Sequence, residues 1–520
     1  MFWNAIPITY NIQDKYTIVN EIAQSKVKME ENKQQEYVIG IDLGTSSCKT
    51  IILSISGDVL GFSSAAYASH ALDTQWKEQN PDALYDGLIV SLQHAIKSSS
   101  LSPKKCLGIS VGGALHSLMA VDCEYKPLSG VITWADMRAI KQSKFIKRNY
   151  DSKRKYNKSG CPNNPMYPIA KILWMKEEAE DQFKKANKFI SAKEYILWKL
   201  SSEIIVDYAV ASGSGLYNIN NFCWDQELLE IAGINENNVA PVCNPLHKVG
   251  ELSDDLCKFL GLRRCIPIFL GSADAVNSSL GAGTINLDSL TCMIGSSGAI
   301  RTISDRPIQD FEERLWCYCI DKSHWLIGGA INNGGLALEW LREIFNLENK
   351  QNYDISFEKI VKWASEVPAL ADGLICLPFL TGERSPYWNQ NMRAIFWGLT
   401  LKHDHRHISR AVLEGIGFRL NSVLEVMNEI VGEIHCVRAS GGYIKSAQWV
   451  QIISNILDKS IQIPENGETS ALGAAYWVFL ALGIVNDFNS LCRFNKVVKI
   501  YNPLIQSGFK KSKKNNAYKE

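Results

Sequence analysis

The pattern of apolar and polar residues changes at Tyr37. The residues before it are mostly polar and aperiodic, and they end in the charged run KVKMEENKQQE. From Tyr37 the chain reads YVIGIDLG, SCKTIILSI and GDVLGFSSAAYA, three apolar runs separated by glycine-containing turns. Such runs, bounded by Gly, Asp and Ser, are typical of strands joined by tight turns. The pattern predicts a three-stranded meander from Tyr37, preceded by an extension without fixed structure over residues 1–36.

Helical patterns alternate with further apolar strands downstream. The stretch NPDALYDGLIVSLQHAIKSS begins with Asn80 as a cap and Pro81 in the first turn, and both residues signal a helix start. Between His407 and Gly432, apolar residues recur close to the period of an α-helix, which predicts a core helix between layers. The runs CLGISVGG and CIPIFLGSADA read as strands. Strands and helices mixed in this way predict an α/β fold.

A second half of the chain is predicted to begin near Leu290. The run TCMIGSSGAIRTIS is a strand, a Gly/Ser turn and a strand, and it echoes YVIGIDLGTSSCKTIIL. Further on, HCVRASGGYIKSAQW reads as a strand, a glycine turn and a helix start. The sequence therefore predicts two related halves that meet at residues 283–290 and offer their hairpin turns to a shared cleft.

Composition and charge remove several classes of function. The 520 residues carry 55 Lys and Arg against 54 Asp and Glu, so a near-zero net charge leaves no electrostatic footprint for nucleic acid. No apolar run approaches the roughly 20 residues that a membrane-spanning helix needs. The N-terminus lacks the basic and apolar regions of a signal peptide. We expect a cytoplasmic protein with reduced cysteines and no nucleic-acid or membrane partner.

The segment DLGTSSCKT, which begins at Asp42, is a candidate phosphate site. It is no P-loop, because Cys48 stands where the second glycine is needed and a strand follows instead of a helix. A hairpin turn rich in Gly, Thr and Ser can still present N–H groups and hydroxyls to phosphate oxygens. Asp42 at its rim can bind Mg²⁺, and the alternative is an ordinary turn with a capping aspartate. The turn Gly295-Ser296-Ser297-Gly298 is a second candidate, and two such turns across a cleft would clamp a nucleotide.

Asp274 is a candidate general base. It lies in LGSADAVNSSLG, directly after an apolar strand, where a carboxylate could accept a proton from an attacking hydroxyl. Phosphoryl transfer needs this orientation more than strong basicity, because positioning and charge neutralisation provide most of the catalysis. The alternative reading is that Asp274 caps the helix that follows.

A third group of residues suits a polyhydroxylated ligand. His116 follows a glycine-rich turn in GGALHSLMAVD, and Trp134, Asp136 and Arg138 lie together in ITWADMR. They offer hydrogen-bond donors, acceptors and a ring face, and Arg138 could pair with Asp136 or with a ligand carboxylate. Taken alone, His116 could equally be a core or surface residue.

These motifs resemble the FGGY family of carbohydrate kinases, which belong to the actin-like ATPase superfamily. DLGTSSCK matches the first phosphate motif of the family, and the resemblance covers roughly Tyr37 to Val485. The segment MYPIAKILWMKEE fits the first family signature. AIFWGL, followed after seven residues by HISRAVLE, fits the second. Long spaced patterns of this kind are far more specific than a short glycine motif.

The resemblance implies a fold and a set of residue roles. The fold is two actin-like (ribonuclease H-like) ATPase domains around a central cleft, with residues 37–285 binding sugar, 286–490 binding nucleotide and 491–520 forming a tail. Asp42 would serve Mg²⁺, and Asp274 would be the catalytic base. The residues implied to hold ATP are Gly44, Thr45, Ser46, Lys49, Gly295, Ser296, Gly298, Gly441, Gly442 and Ser470. Those implied to contact the sugar are Leu115, His116, Trp134, Asp136, Arg138 and Asp274.

The choice of sugar depends on two short segments. Leu115-His116 matches a pair that is Met-His in xylulose kinases, whereas Thr133–Asp136 with Arg138 is more similar to gluconate kinases of the family. The resemblance therefore favours ATP-dependent phosphorylation of D-gluconate, with xylulose or another pentulose as the alternative. A catalytically silent sugar-binding homologue is the alternative from a different class, and an actin-like chaperone or filament is more remote. A homodimer is expected because dimers are common among such enzymes.

Overall fold

The structure is a computed structural model that describes residues 35–67, 69–71, 76–99, 101–348 and 355–504. The predicted extension over residues 1–36 therefore lies almost wholly outside the described residues. The described strands are, in chain order, β1 Tyr37–Leu43, β2 Ser47–Ser54, β3 Val59–Ala66, β4 Ser69–Ala71, β5 Lys77–Gln79, β6 Cys106–Gly113, β7 Met119–Val121, β8 Val131–Ile132, β9 Lys188–Ile190, β10 Val206–Asp207, β11 Tyr217–Asn218, β12 Cys223–Trp224, β13 Val242–Cys243, β14 Lys248–Glu251, β15 Pro267–Phe269, β16 Ser289–Ile294, β17 Gly298–Ser304, β18 Trp316–Cys319, β19 Trp325–Ile331, β20 Ile375–Leu377, β21 Ile395–Trp397, β22 Cys436–Ser440, β23 Ser460–Pro464 and β24 Val497–Tyr501.

Helices cover the sheets and connect their strands. The described α-helices are, in chain order, α1 Pro81–Ser99, α2 Ile140–Asn149, α3 Ser152–Ser159, α4 Pro168–Glu178, α5 Glu180–Lys185, α6 Ala192–Ser201, α7 Tyr208–Ser212, α8 Gln226–Ala232, α9 Asp254–Leu260, α10 Asp274–Ala282, α11 Gly335–Glu348, α12 Phe357–Ser365, α13 His405–Val431, α14 Ala447–Leu457, α15 Thr469–Ala481 and α16 Phe488–Leu491. None of these helices is both long and apolar enough to cross a bilayer.

The two large sheets, of six and seven strands, share the same arrangement around their central strand. The N-terminal sheet has the order β14-β15-β6-β1-β2-β3, and the C-terminal sheet has the order β18-β19-β17-β16-β22-β23-β24. In each sheet a central strand, β1 or β16, pairs antiparallel with the next strand along the chain and parallel with a strand that arrives later. The predicted pair of related α/β halves is confirmed, and the predicted meander is β1-β2-β3.

The register of the two central hairpins fixes the position of both candidate phosphate turns. Leu43 pairs with Cys48, so residues 44–47 form the turn of the first hairpin. Ile294 pairs with Gly298, so residues 295–297 form the turn of the second. Both turns follow the carboxyl end of a central strand, which is the edge where ligands bind in open α/β sheets.

Two predicted helices form where the sequence indicates. The side chain of Asn80 accepts hydrogen bonds from the N–H groups of Asp82 (2.8 Å) and Ala83 (3.3 Å), as expected for the cap of α1. The long core helix is α13, whose predicted apolar stripe is buried at Val412, Ile416, Leu420, Leu424 and Met427. Residues 491–504, assigned to a tail from the sequence, include β24, which pairs antiparallel with β23 and completes the C-terminal sheet.

The two halves meet through a pair of helices in backbone contact. A Cβ atom added to Gly281 of α10 would lie 2.0 Å from the carbonyl oxygen of Thr469, and one added to Gly473 of α15 would lie 1.9 Å from that of Asn277. Gly40 of β1 is equally confined, because its Cβ would lie 2.2 Å from the carbonyl oxygen of Ala471. Only glycine allows α10, α15 and β1 to approach this closely.

We expect Gly281→Ala to destabilise the protein by about 2 kcal/mol or more, because the added methyl group meets backbone that cannot move aside. The apparent melting temperature should fall by several degrees in differential scanning calorimetry. Gly442→Ala is the matched control, because nothing lies within 4 Å of its added Cβ. Equal melting temperatures for the two variants would contradict the close contact.

Candidate active site

The two hairpin turns line opposite walls of one cleft. A cavity of about 360 Å³ is bordered by Thr45 and Ser46 of the first turn and by Gly295, Ser296 and Ser297 of the second, and Asp274 also lines it. A smaller cavity of about 90 Å³ adjoins it, lined by Leu115, His116 and aromatic and basic side chains. The structure thus brings both predicted phosphate turns and four of the predicted sugar residues, Leu115, His116, Trp134 and Asp274, to adjoining spaces.

The first turn is held through its carbonyl groups. The Gly44 N–H donates to the Ser47 carbonyl oxygen at 3.0 Å, and the Tyr67 hydroxyl donates to the Gly44 carbonyl oxygen. Gln79 Nε2 donates to the Thr45 carbonyl oxygen at 2.7 Å. Trp134 Nε1 donates to Thr45 Oγ1 at 3.2 Å, which links the phosphate turn to the sugar side of the cleft. The turn is therefore rigid before any ligand arrives.

The second turn is held by a segment that the sequence analysis did not single out. The N–H of Gly335 donates to the Gly295 carbonyl oxygen at 2.7 Å, and the N–H of Gly334 donates to that of Ser296 at 3.1 Å. A Cβ on Gly334 would lie 2.4 Å from the carbonyl oxygen of Ser297. The signal in the sequence was the turn-forming run Asn332-Asn333-Gly334-Gly335 directly before a helical pattern.

Asp42 is a buried carboxylate that lacks a partner. Its Oδ1 makes no hydrogen bond to any described residue. Burial, and then the negative charge of Asp274, raise the pKa of Asp42 to about 7. A hard cation would satisfy both the oxygen and the charge, so the site fits Mg²⁺, which proteins often hold by one or two carboxylates and substrate phosphates. The described residues contain no cluster of three side chains able to hold a metal ion on their own.

Asp274 is the first residue of α10 and faces both cavities. The N-cap position belongs to Ala273, and the Asp274 carboxylate accepts a hydrogen bond from the Ala275 N–H at 2.7 Å. Burial raises the pKa of Asp274, and the guanidinium of Arg301 lowers it. The carboxylate is thus placed where a hydroxyl in the smaller cavity would meet a phosphate in the larger one.

His116 is held in one orientation and one charge state. Its φ of 65° is in the left-handed region, and its Nδ1 lies 2.7 Å from the carbonyl oxygen of Gly213. A carbonyl only accepts, so Nδ1 carries the proton and Nε2 is left as an acceptor beside the Tyr318 hydroxyl, at 3.5 Å. Burial lowers the pKa of His116 to about 3. The Gly213 contact raises this pKa, and the charges of Lys171 and Arg384 lower it. The ring is therefore neutral.

Lys171 fixes the two segments that carry the sugar-side residues. Its ammonium group is fully buried and donates to the carbonyl oxygens of His116 (2.6 Å) and Thr133 (2.8 Å). Burial lowers its pKa to about 7. The sequence analysis gave Lys171 no role, although a lysine inside the apolar run MYPIAKILWM was the available signal.

Trp134 and Leu115 line the smaller cavity, whereas Asp136 and Arg138 are not among its lining residues. Asp136 accepts two hydrogen bonds from the Arg138 guanidinium, at 2.8 and 2.7 Å. Arg138 also pairs with Glu78 at 2.6 Å, and its guanidinium carbon lies 4.3 Å from the ring centroid of Trp76. Asp136, one of the two partners considered for Arg138, is therefore bound to it in this structure.

Four aromatic or basic residues of the smaller cavity were not predicted from the sequence. Arg301 and Arg384 bring two guanidinium groups to its wall, and Trp316 and Tyr318 bring two rings stacked at 4.7 Å. The segment TCMIGSSGAIRTIS contains Arg301, but a pattern of alternating residues does not show which side chain reaches a distant half of the chain.

None of the remaining predicted nucleotide residues lines either of these two cavities. Lys49 of β2 forms an ion pair with Glu468 at 2.6 Å. Glu468 directly precedes α15, so this pair links the first hairpin to the start of the helix that contains Ser470. Gly441 and Gly442 follow β22, and neither lines the two cavities described above. A Cβ on Gly441 would lie 2.4 Å from the Ile294 carbonyl oxygen, which keeps this turn against the second hairpin.

Comparisons with known proteins match this architecture over most of the chain. Residues 37–281 match the N-terminal domain of the FGGY family of carbohydrate kinases, and residues 290–482 match its C-terminal domain. The gluconokinase of Bacillus subtilis (strain 168) is 35% identical over 461 residues, which are 88% of this chain and 89% of that protein. The xylulose kinase of the same organism is 29% identical over 447 residues, 85% of this chain and 87% of that protein.

Solved structures give the same result. The gluconate kinase from Lactobacillus acidophilus superposes with a TM-score of 0.85 at 31% identity, covering 92% of this chain and 96% of that one. A ligand-bound xylulose kinase from the same organism also has a TM-score of 0.85, at 30% identity over 93% and 98% of the two chains. The predicted two-domain actin-like fold is confirmed. The chain belongs to the FGGY family of carbohydrate kinases.

Proposed function

We propose that the protein transfers the γ-phosphoryl group of ATP to a terminal hydroxyl of D-gluconate, giving ADP and 6-phospho-D-gluconate. The observation that carries the proposal is the position of Asp274, whose carboxylate lines both the cleft between the phosphate turns and the smaller cavity beside it. A base at that boundary can serve an acceptor in one space and a donor in the other.

Gluconate is favoured by two independent observations. The relatives named gluconokinase share 35% and 36% identity with this chain, against 28% for the first of the xylulose kinases. The smaller cavity also carries two arginines, which suit an acidic sugar. A pentulose remains the second candidate because a xylulose kinase superposes equally well. The buried carboxylates of Asp42 and Asp274 and the paired hairpins argue against a catalytically silent homologue.

In the proposed reaction the C6 hydroxyl oxygen of gluconate attacks the γ-phosphorus in line. Its proton passes to the Asp274 carboxylate as the new P–O bond forms, and the bond from the γ-phosphorus to the bridging oxygen of ADP breaks. Little covalent chemistry is left to the protein, so most of the rate acceleration comes from positioning and from donors around the transferring group. Nε2 of the neutral His116 accepts a hydrogen bond from a substrate hydroxyl. Lys171 holds the segments that carry His116 and Trp134 in position.

The proposed nucleotide site uses both halves of the chain. The turns around Gly44, Thr45 and Ser46 and around Gly295, Ser296 and Gly298 would face the phosphates, with Lys49 beside them. Gly441, Gly442 and Ser470 would border the adenosine. Asp42 would hold Mg²⁺, which when bound neutralises phosphate charge. The supporting observation is the unpartnered, buried Oδ1 of Asp42.

Water must be kept from the γ-phosphate, so we expect the halves, proposed to span residues 37–285 and 286–490, to close on their substrates. Small-angle scattering with gluconate and a non-hydrolysable ATP analogue should show a more compact particle. The homodimer and the cytoplasmic location stay predictions.

Asp274→Asn should lower gluconate-dependent ADP release by about 10²- to 10⁴-fold, because the amide cannot accept the proton. Binding of Mg-ATP, followed by calorimetry, should persist. The control is Asp288→Asn, which changes an exposed carboxylate in the loop before β16. Activity of Asp274→Asn within tenfold of the wild type would exclude Asp274 as the base.

Purified wild-type protein with Mg-ATP should release ADP with D-gluconate and much less with D-xylulose, glycerol or no sugar. Turnover with xylulose alone would support the proposed mechanism but contradict the proposal that gluconate is the substrate. Measurable ATP binding without sugar-stimulated turnover by any of them would favour the silent homologue.

Arg301→Gln should move the acidic limb of the pH profile of kcat/KM to higher pH. The Arg301 guanidinium lowers the pKa of Asp274, and the base works only when ionised, so losing this charge means that Asp274 is protonated at a higher pH. Arg301→Lys keeps the charge and should keep the limb near its wild-type position. If the acidic limb of the pH profile does not move in Arg301→Gln, the ionisation of Asp274 does not determine its position.

A further inference from the structure

The buried arginines of the described residues fall into two groups. Arg138, Arg301, Arg384, Arg410 and Arg419 are each less than a tenth exposed. Three of them form ion pairs, namely Arg138 with Glu78 and Asp136, Arg410 with Glu414, and Arg419 with Glu383. The two that form no ion pair within the described chain are Arg301 and Arg384, and both line the smaller cavity.

An uncompensated buried charge is costly, because the interior does not replace the hydration that the guanidinium loses. Arg301 is partly compensated, since the Asp274 carboxylate acts on it and counters the effect of burial on its pKa. The charge of Glu383 likewise counters the effect of burial on the pKa of Arg384, but the two side chains form no ion pair. The Glu383 carboxylate is taken by Arg419 Nε at 3.2 Å and by the N–H groups of Asn332 (2.7 Å) and of Arg384 itself (2.9 Å).

The guanidinium of Arg384 is held in a fixed plane. Its Nε donates to Asn332 Oδ1 at 2.8 Å, and its Nη2 donates to the Ile331 carbonyl oxygen at 2.9 Å. Its Cζ lies 4.7 Å from the ring centroid of Trp134. No bond among the described residues uses Nη1, so Nη1 and the second hydrogen of Nη2 remain on one edge. That edge has the geometry that binds both oxygens of a carboxylate.

Arg384 lies on the side of the substrate space that is remote from the nucleotide. Asp274 and Trp134 line both cavities, whereas Arg384 lines only the smaller one, together with His116 and Tyr318. A substrate whose reacting hydroxyl meets Asp274 therefore extends away from the phosphate turns toward Arg384. A sugar acid phosphorylated at one end carries its carboxylate at the other.

We propose that Arg384 binds the carboxylate of the sugar acid and thereby makes the enzyme select an acid over a neutral polyol of the same length. The proposal rests on the proposed function, because it assigns the acid group of the same substrate. Asn332 and Trp134 act as positioning residues that hold the guanidinium plane, and Arg384 is a specificity-determining residue.

The first test uses the wild-type protein and needs no variant. D-gluconate and its neutral amide, D-gluconamide, have the same chain and hydroxyl groups and differ in charge at C1. We expect kcat/KM for the amide to be roughly 10- to 100-fold lower, the size of effect expected for a charge-assisted pair. Most of the difference should lie in KM, because the contact is distant from the transferred group. Equal kcat/KM values would overturn the inference while leaving the gluconate reaction intact.

The second test asks whether Arg384 is the source of that selectivity. Arg384→Gln should reduce the acid-to-amide ratio of kcat/KM to near one, and Arg384→Lys should restore part of it, since a lysine keeps the charge but not the two-pronged geometry. Arg410→Gln is the matched control: it removes a buried arginine outside both cavities and should leave the ratio unchanged. Melting temperatures would show whether each variant is folded.

The outcomes separate the two proposals. If Arg384→Gln loses acid and amide activity in equal proportion, Arg384 is structural and the inference fails, although gluconate remains the substrate. If the wild-type protein neither binds nor phosphorylates gluconate but turns over a pentulose, the proposed substrate fails and the inference fails with it.

Discussion

Two helices whose backbones touch at glycine residues set the position of everything in the cleft. α10 and α15 touch through Gly281 and Gly473, where even a methyl group would clash with backbone. α10 begins with Asp274, and α15 follows Glu468, the partner of Lys49 on the first hairpin. A shift of either helix would therefore move the base relative to the phosphate turns. Three buried hydroxyls, of Ser278, Ser440 and Thr469, hydrogen-bond where the helices meet β22 and leave little freedom for such a shift.

The charges of the site are balanced only in part by the chain itself. Asp42 has a buried oxygen without a partner, and Arg384 is a buried cation without an ion pair among the described residues. Elsewhere in the described core, buried charges such as Arg138 and Lys193 find carboxylates within 2.7 Å. Unbalanced charge in a low-dielectric space is expensive in the free enzyme and is relieved by ligands of opposite sign. The unbalanced charges that destabilise the free enzyme therefore also give the site its specificity for ligands of opposite charge.

Local patterns were enough to predict the strands, hairpins and helix starts, because turn glycines, caps and apolar periods act over a few residues. They predicted the meander, the cap at Asn80, the buried stripe of α13 and the turns of both central hairpins. They did not show that Gly334 and Gly335 hydrogen-bond the second turn or that Lys171 joins the segments of His116 and Trp134. They also did not show that Asp136 and Arg138 hydrogen-bond each other. The first two facts depend on contacts between residues far apart in the chain, and the third depends on a choice between two partners that the local pattern left open. The edge strand β24 was missed because a short strand carries a weak alternation signal and is fixed by its neighbour β23.

The chain order of α15 has a consequence for synthesis. This helix arrives late, at residues 469–481, yet it packs on β1 and β6 of the N-terminal sheet, where a Cβ on Gly40 would meet Ala471 and one on Gly108 would meet Val478. Until α15 has been synthesised, the apolar face of the N-terminal sheet on which it packs stays exposed. At about 5–20 residues per second, the roughly 200 residues between α10 and the end of α15 take on the order of 10–40 s to make. During that interval the nascent N-terminal half is a natural client for chaperones, and truncated products that lack α15 should be degraded or aggregate.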